Sequence, residues 1–226
     1  MTLTAAYAAL AAGVGVWAFL VSRLRAKSWQ TKGVTGAVNE GGATLLPPSQ
    51  IGLIVFLGVV SSLFALFIAA YHMRMMAGML NGDWIHSPLP RVLWVNTVVL
   101  ILASVAMQWA SAATLPAQRE ALRGRLVAGG VLAGAFLVGQ LLAWREVSGT
   151  PYFSALNPAI AFFYLLTAVH GLHLVGGMVV WGRTVGRLLQ PEANPADVGL
   201  TVRLCAYYWH YLLLVWLVLF GLMLST

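Results

Sequence analysis

The chain has 226 residues, of which 60% are apolar before its 23 glycines are counted and only 8% are charged. Soluble domains carry about 25% charged residues to clothe their surface, so this composition excludes an ordinary soluble fold and points to an integral membrane protein. The net charge of +7 is spread thinly along apolar segments, which excludes a basic face for nucleic acid and leaves the sign of the charge as a guide to topology.

Apolar windows fall at about 2–22, 51–73, 92–114, 125–144, 158–182 and 203–224, each near the ~20 residues a helix needs to cross about 30 Å of hydrocarbon. They predict an all-α integral membrane protein: a six-transmembrane-helix bundle with its N- and C-termini outside. The expected organisation is an N-terminal transmembrane helix (1–24), a cytoplasmic linker (25–50) and a five-helix core (51–226). No basic residue precedes the first window, whereas Arg23, Arg25 and Lys27 follow it. That order is the reverse of a signal peptide and predicts a retained helix.

In the linker, Gly33, Gly36, Gly41, Gly42 and the pair Pro47-Pro48 argue against a further span. The link NGDWIHSPLP before the third window is turn-rich, and its Trp84, with Trp94, suits an interfacial aromatic belt. Gly149, Pro151, Asn157 and Pro158 break the chain before the fifth window, and Pro191, Asn194 and Pro195 break it afterwards.

Basic residues alternate with the spans. After the first, third and fifth come Arg23, Arg25, Lys27 and Lys32, then Arg119, Arg123 and Arg125, then Arg183, Arg187 and Arg203; after the second and fourth come only Arg74, Arg91 and Arg145. An excess of Lys and Arg marks the cytoplasmic side, which places both termini outside.

The acidic residues Glu40, Asp83, Glu120, Glu146, Glu192 and Asp197 all fall in loops or at the ends of spans. Ion-coupled transport usually needs an ionisable group at depth, and no inverted pair of broken helices is visible, so a pump or transporter finds no support. Asn96, Gln108 and Gln140 lie in apolar helices and need hydrogen-bond partners. Small residues at 171, 176, 177 and 182 in the fifth span, and Gly58, Ser61, Ser62, Ala65, Ala69 and Ala70 in the second, predict close helix packing.

His170 and His173 sit three apart on the fifth span, hence near one face, and His210 lies on the sixth. Counting the helical rise puts His173 and His210 both roughly 10 Å from the inner edge. Facing one another, they would have the placement of two axial haem ligands. The alternative is neutral imidazoles hydrogen-bonded across helix contacts, and without C-x-x-C-H or a thiolate the ligand signal is weak. His72 lies near an outer helix end and His86 in a loop, so a four-histidine arrangement is not supported. Cys205 is the single cysteine, which excludes an internal disulfide and a cysteine cluster. No nucleophile elbow, phosphate loop or H-E-x-x-H motif is present.

Five ordered stretches carry a family likeness: IVFLGVVSSLFALFIAAYHMR, PLPRVLWVNTVVLILASVAMQWA, GQLLAWREV, FFYLLTAVHGLHLVGGMVVW and YYWHYLLLVWLVLFGLM. From about residue 45 to 224 the chain resembles subunit III of the haem-copper respiratory oxidases, a family that includes quinol-oxidase subunits and nitric-oxide-reductase accessory proteins. The resemblance implies a subunit III-like core at 51–226 without catalytic, cofactor-binding or metal-binding residues of its own. Haem and copper are then expected in partner subunits. Subunit I is the main implied partner, with subunit II, structural phospholipid and, through the complex, cytochrome c, in a bacterial inner (plasma) membrane.

The implied reaction belongs to the complex, which reduces oxygen to water with proton translocation. A quinol oxidase or nitric oxide reductase is the alternative assembly, and a stand-alone b-type cytochrome using His173 and His210 is the alternative of another class. Many relatives place an acidic residue where this chain has Val60, and an Asp where it has Leu212. Proton handling through those positions is therefore in question here, whereas the helix-packing pattern for a scaffold is kept. The longest relatives have two helices before the core where this chain predicts one.

Overall fold

The computed structural model describes residues 47–85, 89–112, 119–150, 157–189 and 195–225. They form five long helices: α1 (Pro48–Asn81), α2 (Val92–Ala112), α3 (Arg119–Ser148), α4 (Pro158–Leu189) and α5 (Pro195–Leu224). All five are long and apolar enough to cross a membrane; even α2, with 21 residues, is about 31 Å long at 1.5 Å per residue. The six-helix expectation is corrected to five among the described residues, and the span expected at 2–22 lies outside them.

The helix ends follow local chemistry. Gly82, at φ 75°, closes α1 in the left-handed conformation that glycine adopts without a Cβ clash. The amides of Asp83 and Trp84 turn back to the Gly78 carbonyl at 3.1 and 3.3 Å. Asn157 caps α4: its side-chain oxygen accepts from the Ala159 amide at 3.1 Å, and its amide nitrogen donates to the Ile85 carbonyl at 3.1 Å. Pro158 then occupies the first helical position, where a missing N–H costs nothing.

The chain divides into two compact units, Met1–Ala69 and Ala70–Thr226. In the first, α1 begins with Leu57, Val60 and Phe64 buried. In the second, α2, α3, α4 and α5 pack antiparallel in a closed order. Asn96 of α2 meets α3 near Phe136, Trp144 of α3 meets Thr167 of α4, Tyr208 of α5 meets the His173 carbonyl of α4, and Trp216 of α5 meets Thr97 of α2. Trp209, Trp216, Phe136 and Leu100 are among the fully buried side chains at its centre.

Trp84 is buried, with its ring 5.3 Å from Tyr71 in an edge contact. It is therefore a packing residue and not the interfacial anchor expected of it. Trp94 is 57% exposed, as a belt residue should be.

Candidate functional site

The histidines are built into the bundle in three ways. His210 lies between α5 and α2, with Nδ1 2.5 Å from the Ser104 hydroxyl and Nε2 2.9 Å from the Gln108 amide oxygen. An amide oxygen only accepts, so Nε2–H donates to Gln108, while Nδ1 pairs with the Ser104 hydroxyl, and both ring nitrogens are engaged. His173 turns Nδ1 back to the Val169 carbonyl of its own helix at 2.7 Å, and its own carbonyl accepts from the Tyr208 hydroxyl at 2.8 Å. His173 and His210 thus make separate contacts, and both ring nitrogens of His210 are engaged by side chains of α2.

His170 is fully buried in an aromatic cage, 5.8 Å from Phe136 and 5.3 Å from Trp216 between ring centroids. His72 lies beside Tyr71, at 5.9 Å, and His86 is outside the described residues. Among the described residues no group of three or more His, Cys, Asp or Glu is placed to hold a metal ion. Cys205 is buried.

Buried polar side chains cross the four antiparallel helices. The Trp216 indole donates to the Thr97 hydroxyl at 2.9 Å, and that hydroxyl donates to the Leu93 carbonyl at 2.8 Å. Trp144 donates to Thr167 at 3.0 Å, and Asn96 donates to the Phe136 carbonyl at 3.4 Å. Bonds of this kind join helices where no water competes. Of the three polar side chains that the sequence left in need of partners, Gln108 and Asn96 have them; the buried Gln140 has none among the described residues.

Glycines set the closest approaches. A Cβ at Gly130 would collide with the Trp181 ring, whose N–H donates to the Leu126 carbonyl at 2.8 Å, and a Cβ at Gly139 would collide with the Asn96 amide. Among the small residues predicted to pack in the fifth window, Gly177 meets Tyr208 at 2.6 Å from an added Cβ, whereas Gly176 and Gly182 face open space. Sequence reading missed Gly130 and Gly139; the signal for them was the glycine series 129, 130, 134 and 139 along one helix.

Val60 and Leu212, the two positions at which the family resemblance leads one to expect acidic residues, are both buried, at 3% and 0% exposure. Nearer the helix end, Arg74 and Asp83 form an ion pair, both partly exposed. The hydrogen bond from Arg74 holds the Asp83 carboxyl below its ordinary range. Arg119 reaches from the start of α3 to the Leu188 carbonyl near the end of α4, at 3.1 Å, where a cation complements the helix dipole.

Apolar helices joined by buried side-chain hydrogen bonds and glycine contacts define a multi-pass α-helical membrane protein whose interior chemistry is packing. A model of the family described as cytochrome c oxidase subunit III matches residues 18–225. A probable cytochrome c oxidase subunit 3 from Mycobacterium bovis is 30% identical over 177 residues, covering 76% of this chain and 84% of that protein. Cytochrome c oxidase subunit 3 of Thermostichus vulcanus is 27% identical over 176 residues (76% and 85%), and that of Yarrowia lipolytica is 27% identical over 215 residues (91% and 78%). The chain belongs to the cytochrome c oxidase subunit III family.

Proposed function

We propose that the chain is a non-catalytic accessory subunit of a proton-translocating haem-copper terminal oxidase in a bacterial inner membrane. The observation that carries this reading is the family match over residues 18–225, which takes in all five described helices. Subunit I is the principal partner, with subunit II beside it, and cytochrome c supplies electrons to the complex. Haem and copper belong to those partners.

The chain's own contribution is mechanical. The antiparallel helices of its second unit are cross-tied by Trp216–Thr97, Trp144–Thr167 and Tyr208–His173, so they present a rigid apolar surface. Leu102, Val98, Val95 and Val105 of α2 are exposed and are offered to lipid acyl chains and to neighbouring transmembrane helices. The arginine-rich ends of α3, α4 and α5, with Arg119, Arg123, Arg125, Arg183, Arg187 and Arg203, lie on the cytoplasmic side by the excess of positive charge. Buried Val60 and Leu212 give no carboxylate for proton handling, which favours support of the catalytic subunit and its lipid over a proton-entry role at these positions.

The test compares membranes with and without this chain. Oxygen uptake on reduced cytochrome c is expected to start at a similar rate in both and to decay faster during turnover when the chain is absent. Identical persistence of turnover would overturn the supporting role, and uptake driven only by quinol would overturn the choice of donor.

A further inference from the structure

We propose that Gln140 and His170 form a buried water-binding site between α3 and α4. Gln140 is 3% exposed and His170 0%, yet both amide atoms of Gln140 and both ring nitrogens of His170 lack a hydrogen-bond partner among the described residues. Buried polar groups in native proteins are nearly always paired with protein or with ordered water.

The helix register brings the two together. On α3, Gln140 lies one turn from Phe136 and one turn from Trp144, hence on their face. Phe136 packs against His170 at 5.8 Å, and Trp144 donates to Thr167 at 3.0 Å. Since Thr167 and His170 are themselves one turn apart on α4, Gln140 sits at the level between them. The Thr167 hydroxyl already donates to the Phe163 carbonyl at 2.6 Å and accepts from Trp144, so on this stretch of α4 His170 is the residue with unpartnered nitrogens at the level of Gln140.

A direct bond does not complete the pair. A neutral imidazole has one donor and one acceptor nitrogen, and a carboxamide has an acceptor oxygen and a donor nitrogen. Among the described residues, however, no such direct bond is made by any of these four atoms. Water supplies two donors and two acceptors, so it can accept from one residue while donating to the other. Such a site gives each residue a partner without a charge and joins α3 to α4 inside the apolar core.

The direct test is electron cryo-microscopy of the full chain in its native assembly, at a resolution that shows other buried waters. The expected result is a density peak within hydrogen-bonding distance of both Gln140 and His170. A direct amide–imidazole bond, or no peak at that position, would overturn the proposal. As a second measurement, the thermal midpoints of Gln140→Leu, His170→Phe and the double variant are compared with that of the parent chain. Each single substitution is expected to lower the midpoint, with the double lowering it by less than the sum. Additive shifts, or a rise from either single change, would contradict a shared water.

Discussion

Replacing Gly139 by alanine tests the α2–α3 contact where its tolerance is smallest. The added methyl would occupy the place of the Asn96 amide, and Asn96, itself 3% exposed, has little room to retreat. Overpacking a filled interior costs about 1–3 kcal/mol. Displacing Asn96 also breaks its bond to the Phe136 carbonyl, and leaving buried polar groups unpaired costs about 1–3 kcal/mol more. The expected loss is therefore about 2–6 kcal/mol in total. Gly134→Ala is the control, because its Cβ would meet only Met178 at 3.9 Å; helix propensity makes it neutral or stabilising by up to about 1 kcal/mol. Denaturant unfolding in bicelles, followed by near-ultraviolet circular dichroism, reads both. Combining Gly139→Ala with Asn96→Ala is expected to recover part of the loss, since the second change vacates the space that the first requires. A Gly139→Ala variant as stable as the Gly134→Ala control, or no recovery in the double variant, would refute the reasoning.

Trp216→Phe keeps an aromatic ring in the core but removes the donor to Thr97, so the same unfolding assay is expected to show a loss of about 1–2 kcal/mol. Asp83 is held below its ordinary carboxyl range by Arg74, so its stabilisation is present above the unfolded value near 4. It is lost as pH falls through the lower folded value, and Asp83→Asn should flatten that acid limb of stability against pH. Because His210 is engaged by Ser104 and Gln108, and His173 by Val169, replacing either histidine by alanine should leave the reduced-minus-oxidised haem spectrum of the membranes unchanged in shape; loss of a haem b band would contradict this.

Helix positions were legible because lipid imposes a single requirement, a long apolar run, on each span. The ends were less so. The sixth window, 203–224, corresponds to a helix that begins at Pro195, since Asp197 and Arg203 lower the hydropathy while proline and an acidic first turn favour helix starts. The depth of His173 and His210 could be counted from helical rise, but their partners could not. Rise fixes height along a helix and says nothing of its rotation, and it is rotation that sends His210 to Ser104 and Gln108. Gly130 and Gly139 were hidden for a related reason. A glycine marks a close approach only when a bulky group stands opposite, and Trp181 and Asn96 come from other helices. Gln140 was visible as a polar group in need of a partner; its pairing with His170 emerges only from the register of α3 against α4 that the Phe136 and Trp144 contacts establish.

The accessory role is tested most directly by tagging the chain in its native membrane, extracting it gently, and recording the haem spectra and mass-spectrometric identities of what copurifies. The account expects a large haem-copper subunit together with a copper- or donor-binding subunit, in constant ratio to this chain. Recovery of the chain alone, carrying haem of its own, would contradict it.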